Sequence, residues 1–282
     1  MPFGICPLSV VPVRGFASHH SELHSQLLFG EMFEIQDSKG KQWLRIRTAT
    51  DGVEGWVEQT QCRLLSEPEF LQYREQYAYS LELVHAVMAS DHFLPVTIGA
   101  RFPRFDGLHF RLGDTVYTFS GQTLTLGENR SGSDFLLKMA RRYLGAPYLL
   151  GGRSPFGIDA PGFTQLAFQF VGVSLPRSSA GQIEMGEAVD FIENARPGDL
   201  AFFENKFGKI NHVGIVMPEG RVIHALGSVR IDLLDHFGVF DEARGYYSRR
   251  LRLIKRILPV EEKLPTPGRE EREAMATQVA LF

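Results

Sequence analysis

The apolar pattern of this chain changes its period once, and that change constrains the fold more than any single motif. Between residues 9 and 65 apolar residues alternate in short runs at 10–13, 26–31, 43–47 and 55–57. Turn-forming stretches, Asp37-Ser38-Lys39-Gly40 and Asp51-Gly52, break the runs. Period-two runs separated by such turns predict a small antiparallel barrel. Residues 67–126 carry a helical stretch over 68–77 and strand-like pieces at 81–84 and 115–119, which predict a second, diverged barrel. From residue 131 the period becomes helical. Ser133 is placed to cap a helix in which Phe135, Met139 and Tyr143, with Leu136, Ala140 and Leu144, recur every four residues until Gly145. A second helix carries Phe163, Leu166, Ala167 and Phe170 on one face and stops at Gly172. Strands are predicted at 199–204, 212–217, 221–226 and 249–257, with Pro218-Glu219-Gly220 as a hairpin turn. Helices followed by a strand meander give an α+β domain. The expected division is 1–65, 66–128, 129–258, and a Pro- and charge-rich tail over 259–282 with little to pack.

With 282 residues, 44% of them hydrophobic, the chain can bury two or three cores. A formal charge of -3, with acids and bases interspersed, offers no basic stripe to a phosphate backbone, so no nucleic-acid partner is expected. The run 249–256 alternates basic with apolar residues and reads as a strand with one wet face. Met1-Pro2-Phe3-Gly4-Ile5-Cys6 is neither a charged leader nor an apolar one, and no run approaches membrane-spanning length. The expectation is a cytoplasmic protein with no membrane partner, in which Cys6 and Cys62 are free thiols. His19, His20 and His24 have no Cys or carboxylate at ligand spacing, and Gly151-Gly152 is not followed by Gly-Lys-Ser/Thr. Neither a metal nor another cofactor is expected.

Chemistry concentrates after residue 150. A glycine-rich loop over 151–157 delivers Asp159-Ala160-Pro161-Gly162 to the start of a helix, and His212 and His224 stand on successive strands of a hairpin. A helix start concentrates unpaired N–H groups and positive dipole, so a cysteine there is biased toward thiolate. An imidazole facing it can take the proton, and that imidazole needs a polar group on its other nitrogen to hold tautomer and orientation.

The runs YLGAPYLLGGRSPFGIDAPGFTQ (143–165), LPR (175–177), PGDLAFFEN (197–205), NHVGIV (211–216) and VIHALGSVRID (222–232) resemble the catalytic domain of the NlpC/P60 cysteine peptidases. SQLLFGE, WLRIR and DGVEGWV, earlier in the chain, resemble a bacterial SH3 domain. Together they are similar to the γ-D-glutamyl-L-diamino acid endopeptidases of the dipeptidyl-peptidase VI type. The resemblance implies a papain-like α+β domain preceded by two small SH3-like β-barrels. It implies hydrolysis of the bond between D-glutamate and the diamino acid of a murein peptide, and a small partner such as L-Ala-γ-D-Glu-diaminopimelate.

Carried over by motif, the nucleophilic cysteine falls on Ala160, the base on His212 and the third polar residue on His224. Asp159 falls on the aspartate that helps hold the peptide's free amine, with Arg153 and Pro161 as further substrate-side positions. Two residues depart from the family pattern: Ala160 has nothing to attack with, and Pro161 replaces a serine, removing a hydroxyl and an N–H while suiting a first helical turn. Cys6, Cys62 and Ser154 are not expected to reach the base. Three readings stay open: a cysteine replaced by design, a natural relative that binds murein peptides without cutting them, and an adaptor in which the cleft is only scaffold.

Overall fold

A computed structural model describes residues 2–125 and 132–259, and the tail expected from residue 260 onward lies outside them. The first unit is a seven-stranded antiparallel sheet in the order Leu23–Leu28, Val10–Arg14, Glu54–Glu58, Trp43–Thr48, Met32–Lys39, Phe3–Ile5, Arg63–Leu65. It wraps a core of Val11, Val13, Leu27, Phe33, Ile46 and Val57. The run expected at 26–31 ends as a strand at Leu28. Gly30 turns the chain there at a φ of 78°, where any Cβ would collide with the Arg101 carbonyl oxygen.

The helix Glu67–Glu75 opens with a reciprocal cap between Ser66 and Glu69 and carries Pro68 in its first turn. It ends before Tyr77, which instead begins the strand Tyr77–Ser80. Residues 81–83, expected as strand, form a bend because the Ser80 hydroxyl accepts the Glu82 N–H at 3.3 Å, and the chain re-enters a sheet only at Val84–Met88. A four-stranded sheet (Phe93–Thr97, Val84–Met88, Thr115–Thr118, His109–Leu112) and a three-stranded one (Arg101–Pro103, Tyr77–Ser80, Thr123–Thr125) enclose Val87, Val96, Phe102, Phe110 and Phe119. Phe29, from the turn of the first unit, lies in that same core and stitches the two together.

In the last unit the helix Ser133–Arg141 is preceded by Gly132 rather than Ser133 at its cap. It buries Leu136, Met139 and Ala140, but Leu144 lies past its end and is 45% exposed, so the apolar stripe stops a turn early. The helix Ala160–Gln169 is buried along nearly its whole length, and Phe163 and Leu166 each contribute about 1.5–3 kcal/mol by leaving water. The accompanying sheet runs Glu187–Val189, Tyr246–Arg256, Leu200–Glu204, Ile210–Met217, Arg221–Leu226, Ser228–Leu234, Gly238–Asp241. The last strand pairs back onto Tyr246–Arg256, so six strands close into a ring. Alternation then sorts side chains: Phe202, Val213, Ile215 and Ile223 pack on the helices, while Phe203, Val216, Val222 and Ile254 fill the ring. Among the described residues no helix is long and apolar enough to cross a membrane.

Candidate functional site

The helix Ala160–Gln169 starts where the glycine-rich loop delivers it. The loop is held by a two-residue ladder, Arg153–Ser154 against Gly157–Ile158. Asp159 caps the helix. Its Oδ1 accepts the Gly162 N–H and its Oδ2 the Gly151 N–H, each at 2.8 Å, and Arg177 donates to both oxygens, also at 2.8 Å. Four donors saturate this carboxylate and the guanidinium neutralises it. Asp159 also lines the cleft, where it is expected to meet a peptide amine, and its charge is shared with the helix start and with Arg177, a residue the LPR motif contains without revealing that task.

Arg153, expected on the substrate side, does not line the cleft. Its side chain is 2% exposed, and its donors go to Glu31 at 2.7 and 3.0 Å, to the Gln26 carbonyl at 2.7 Å and to Gln165 at 2.9 Å. It clamps the first barrel to the last unit from beneath the cleft and does not line it. Four of the guanidinium's five N–H donors are thereby used inside the protein.

Ala160 is the first residue of the helix and is 2% exposed; Pro161 follows it and removes one of the free N–H groups at this end. Ala160, Pro161 and His212 line one open cleft of about 650 Å³. Its other wall comes from the first barrel, through Leu23, Asp51 and Val53. Asp51 accepts hydrogen bonds from Thr48 and Gln165. Burial alone would raise its pKa, but the Arg153 charge and these hydrogen bonds hold it below the ordinary value.

The two imidazoles meet at the open end of the strand ring. His212 Nε2 lies 2.7 Å from His224 Nδ1, and His224 Nε2 lies 2.9 Å from Asp232 Oδ2. Arg230 donates to the other oxygen of Asp232 at 2.6 Å. Gly214 makes this possible. It pairs with His224 across the hairpin, and a Cβ there would stand 2.6 Å from Val222 Cγ2 and 2.9 Å from His224 Cβ. Burial pushes His212 well below the ordinary histidine value, with repulsion from His224 and Arg249 adding to it. Burial also lowers His224, against the pull of Asp232. Burial would raise Asp232, but bonds from His224 and Arg230 keep it low, so it stays ionised.

A neutral pair beside a carboxylate has one consistent arrangement of protons. His224 donates Nε2–H to Asp232 and accepts at Nδ1, so His212 carries its proton on Nε2 and keeps a lone pair on Nδ1. That nitrogen has no hydrogen-bond partner among the described residues. It belongs to a residue that lines the same cleft as Ala160.

Ser154 is buried in the loop ladder, Cys6 is buried in the first sheet, and burial pushes the Cys62 thiol up to about 12; none of the three lines the cleft. Among the described residues no cluster of metal-ligating side chains occurs. Asp232 is absent from the sequence-based assignment. Its signal was parity: the strand Ser228–Leu234 places it on the same face as Arg230, the cross-strand partner of His224.

Residues 145–250 match the NlpC/P60 family, and residues 13–61 match the bacterial dipeptidyl-peptidase SH3 domain. A γ-D-glutamyl-L-lysine dipeptidyl-peptidase of Bacillus cereus is 29% identical over 80% of this chain and 74% of its own length. One from Bacillus subtilis is 26% identical over 72% of each chain. The crystal structure of an NlpC/P60 family protein from Bacillus cereus superposes with a TM-score of 0.79 at 20% identity, covering 91% of this chain and all of that one, which shows the shared fold. By these matches and by its architecture, the chain carries an NlpC/P60 domain of papain-like fold preceded by a bacterial SH3 domain.

Proposed function

We propose that this protein binds a short murein peptide across the junction of γ-D-glutamate and a diamino acid, and does not hydrolyse it. The carrying observation is the cleft itself. His212, His224, Asp232 and the helix start are arranged for acyl transfer, and the residue that would attack is Ala160. The relatives named as γ-D-glutamyl-L-lysine dipeptidyl-peptidases supply the substrate class. Without a nucleophile the covalent route loses nearly all its rate enhancement, whereas the cleft itself is still present. With Asp159 neutralised by Arg177, the peptide's free ammonium is assigned to the barrel wall, where Asp51 is an ionised carboxylate.

Calorimetry with L-Ala-γ-D-Glu-diaminopimelate and its N-acetyl derivative tests this. The free amine should bind about tenfold tighter, the scale of one charge-assisted contact. Equal affinity for the two overturns the amine assignment, and absence of binding by either overturns the function.

A further inference from the structure

The cleft does not end at His212. Asn211, the residue before it, also lines a second groove of about 640 Å³ on the side away from the first barrel. Glu204, Lys206, Phe237, Tyr247, Arg249 and Arg250 are among that groove's other walls. Its charges are unevenly committed. Glu204 is held by Arg250 at 3.4 Å and Arg252 at 3.6 Å, leaving Arg249 without a carboxylate partner among the described residues. Arg249 gives one N–H to the Ser248 carbonyl at 2.9 Å, while its Nε is shielded from solvent with no partner. The guanidinium is close enough to the cleft to disfavour protonation of both His212 and His224. Tyr148, on the cleft wall, feels the same charge. A shielded, unpaired arginine donor is costly unless something supplies an acceptor.

We infer that Arg249 is a specificity-determining residue that takes the α-carboxylate of the diamino acid following γ-D-glutamate. This rests on the peptide occupying the cleft as proposed above. With the first barrel closing the amino side, the remainder of the peptide must leave past His212 into this groove. The α-carboxylate is the first charged group beyond the junction, so it meets Arg249 before any side-chain group can. A planar guanidinium suits that carboxylate by two parallel hydrogen bonds.

The probes are L-Ala-γ-D-Glu-L-Lys and its C-terminal carboxamide, titrated into the full chain and its Arg249→Gln and Arg249→Lys variants. The unmodified protein should prefer the free acid by about tenfold. In Arg249→Gln the preference should vanish, with carboxamide affinity unchanged, and Arg249→Lys should restore part of it. No preference in the unmodified protein overturns the assignment without any variant. A preference that survives Arg249→Gln, or an equal loss for both peptides, overturns it while leaving the peptide-binding function standing. Failure of the unmodified protein to bind either peptide removes that function, and this inference with it.

Discussion

His212 holds its lone pair toward the cleft because Asp232, two imidazole contacts away, accepts the proton of His224. Replacing Asp232 by asparagine keeps the shape but offers a donor where only an acceptor belongs, so the pair can reverse and turn a protonated nitrogen on residue 160. In an Ala160→Cys background, Asp232→Asn should lower the turnover of L-Ala-γ-D-Glu-diaminopimelate by on the order of 10²–10⁴-fold. The same imidazoles make stability depend on pH. Their folded-state pKa values lie below those of the unfolded chain, so below about 6.5 the unfolded state binds more protons and folding weakens as pH falls. Chemical denaturation at pH 7 and pH 5 should show a loss of up to about 1.4 kcal/mol per pH unit per imidazole. A His212→Gln/His224→Gln variant should flatten that slope. Much at this scale was readable in the sequence, because NHVGIV and the twelve-residue step to His224 need only one hairpin to bring the rings together. Asp232 was missed because its strand, Ser228–Leu234, set off from the one before by Gly227 at a φ of 73°, was not among the expected strands. The burial of Arg153 was not readable because it depends on a partner 122 residues away.

Between elements, the clamp of Arg153 on Glu31 and the bare face of Gly214 do different work. The clamp joins the first barrel to the loop that presents the helix start, with side chains 2% and 1% exposed. Arg153→Met strands the Glu31 carboxylate in the interior and should cost about 3–5 kcal/mol, read by urea denaturation. Adding Glu31→Leu should recover much of that loss, since the penalty lies in the orphaned charge. Gly214→Ala tests the hairpin: the new methyl presses on Val222 and His224 and should cost about 1–3 kcal/mol while displacing the ring of His224. The first barrel's alternating strands and the buried helix were legible from period alone. The closure of the second sheet was not, because Gly238–Asp241 is four residues long and its pairing with Tyr246–Arg256 depends on a tight approach at Gly238.

For the whole molecule, the first barrel and the papain-like domain share one cleft, so under the proposed function a peptide is held by both while chemistry would depend on the second alone. Restoring the missing atom therefore tests the account most directly. The measurement is release of diaminopimelate from L-Ala-γ-D-Glu-diaminopimelate by the unmodified chain, by Ala160→Cys/Pro161→Ser, and by that double variant carrying His212→Ala. A thiol at the helix start opposite His212 is biased toward thiolate, so the predicted outcomes are no release, release, and no release. Release by the unmodified chain, or silence from a folded double variant that still binds the tripeptide, would contradict a peptidase site intact except for its nucleophile.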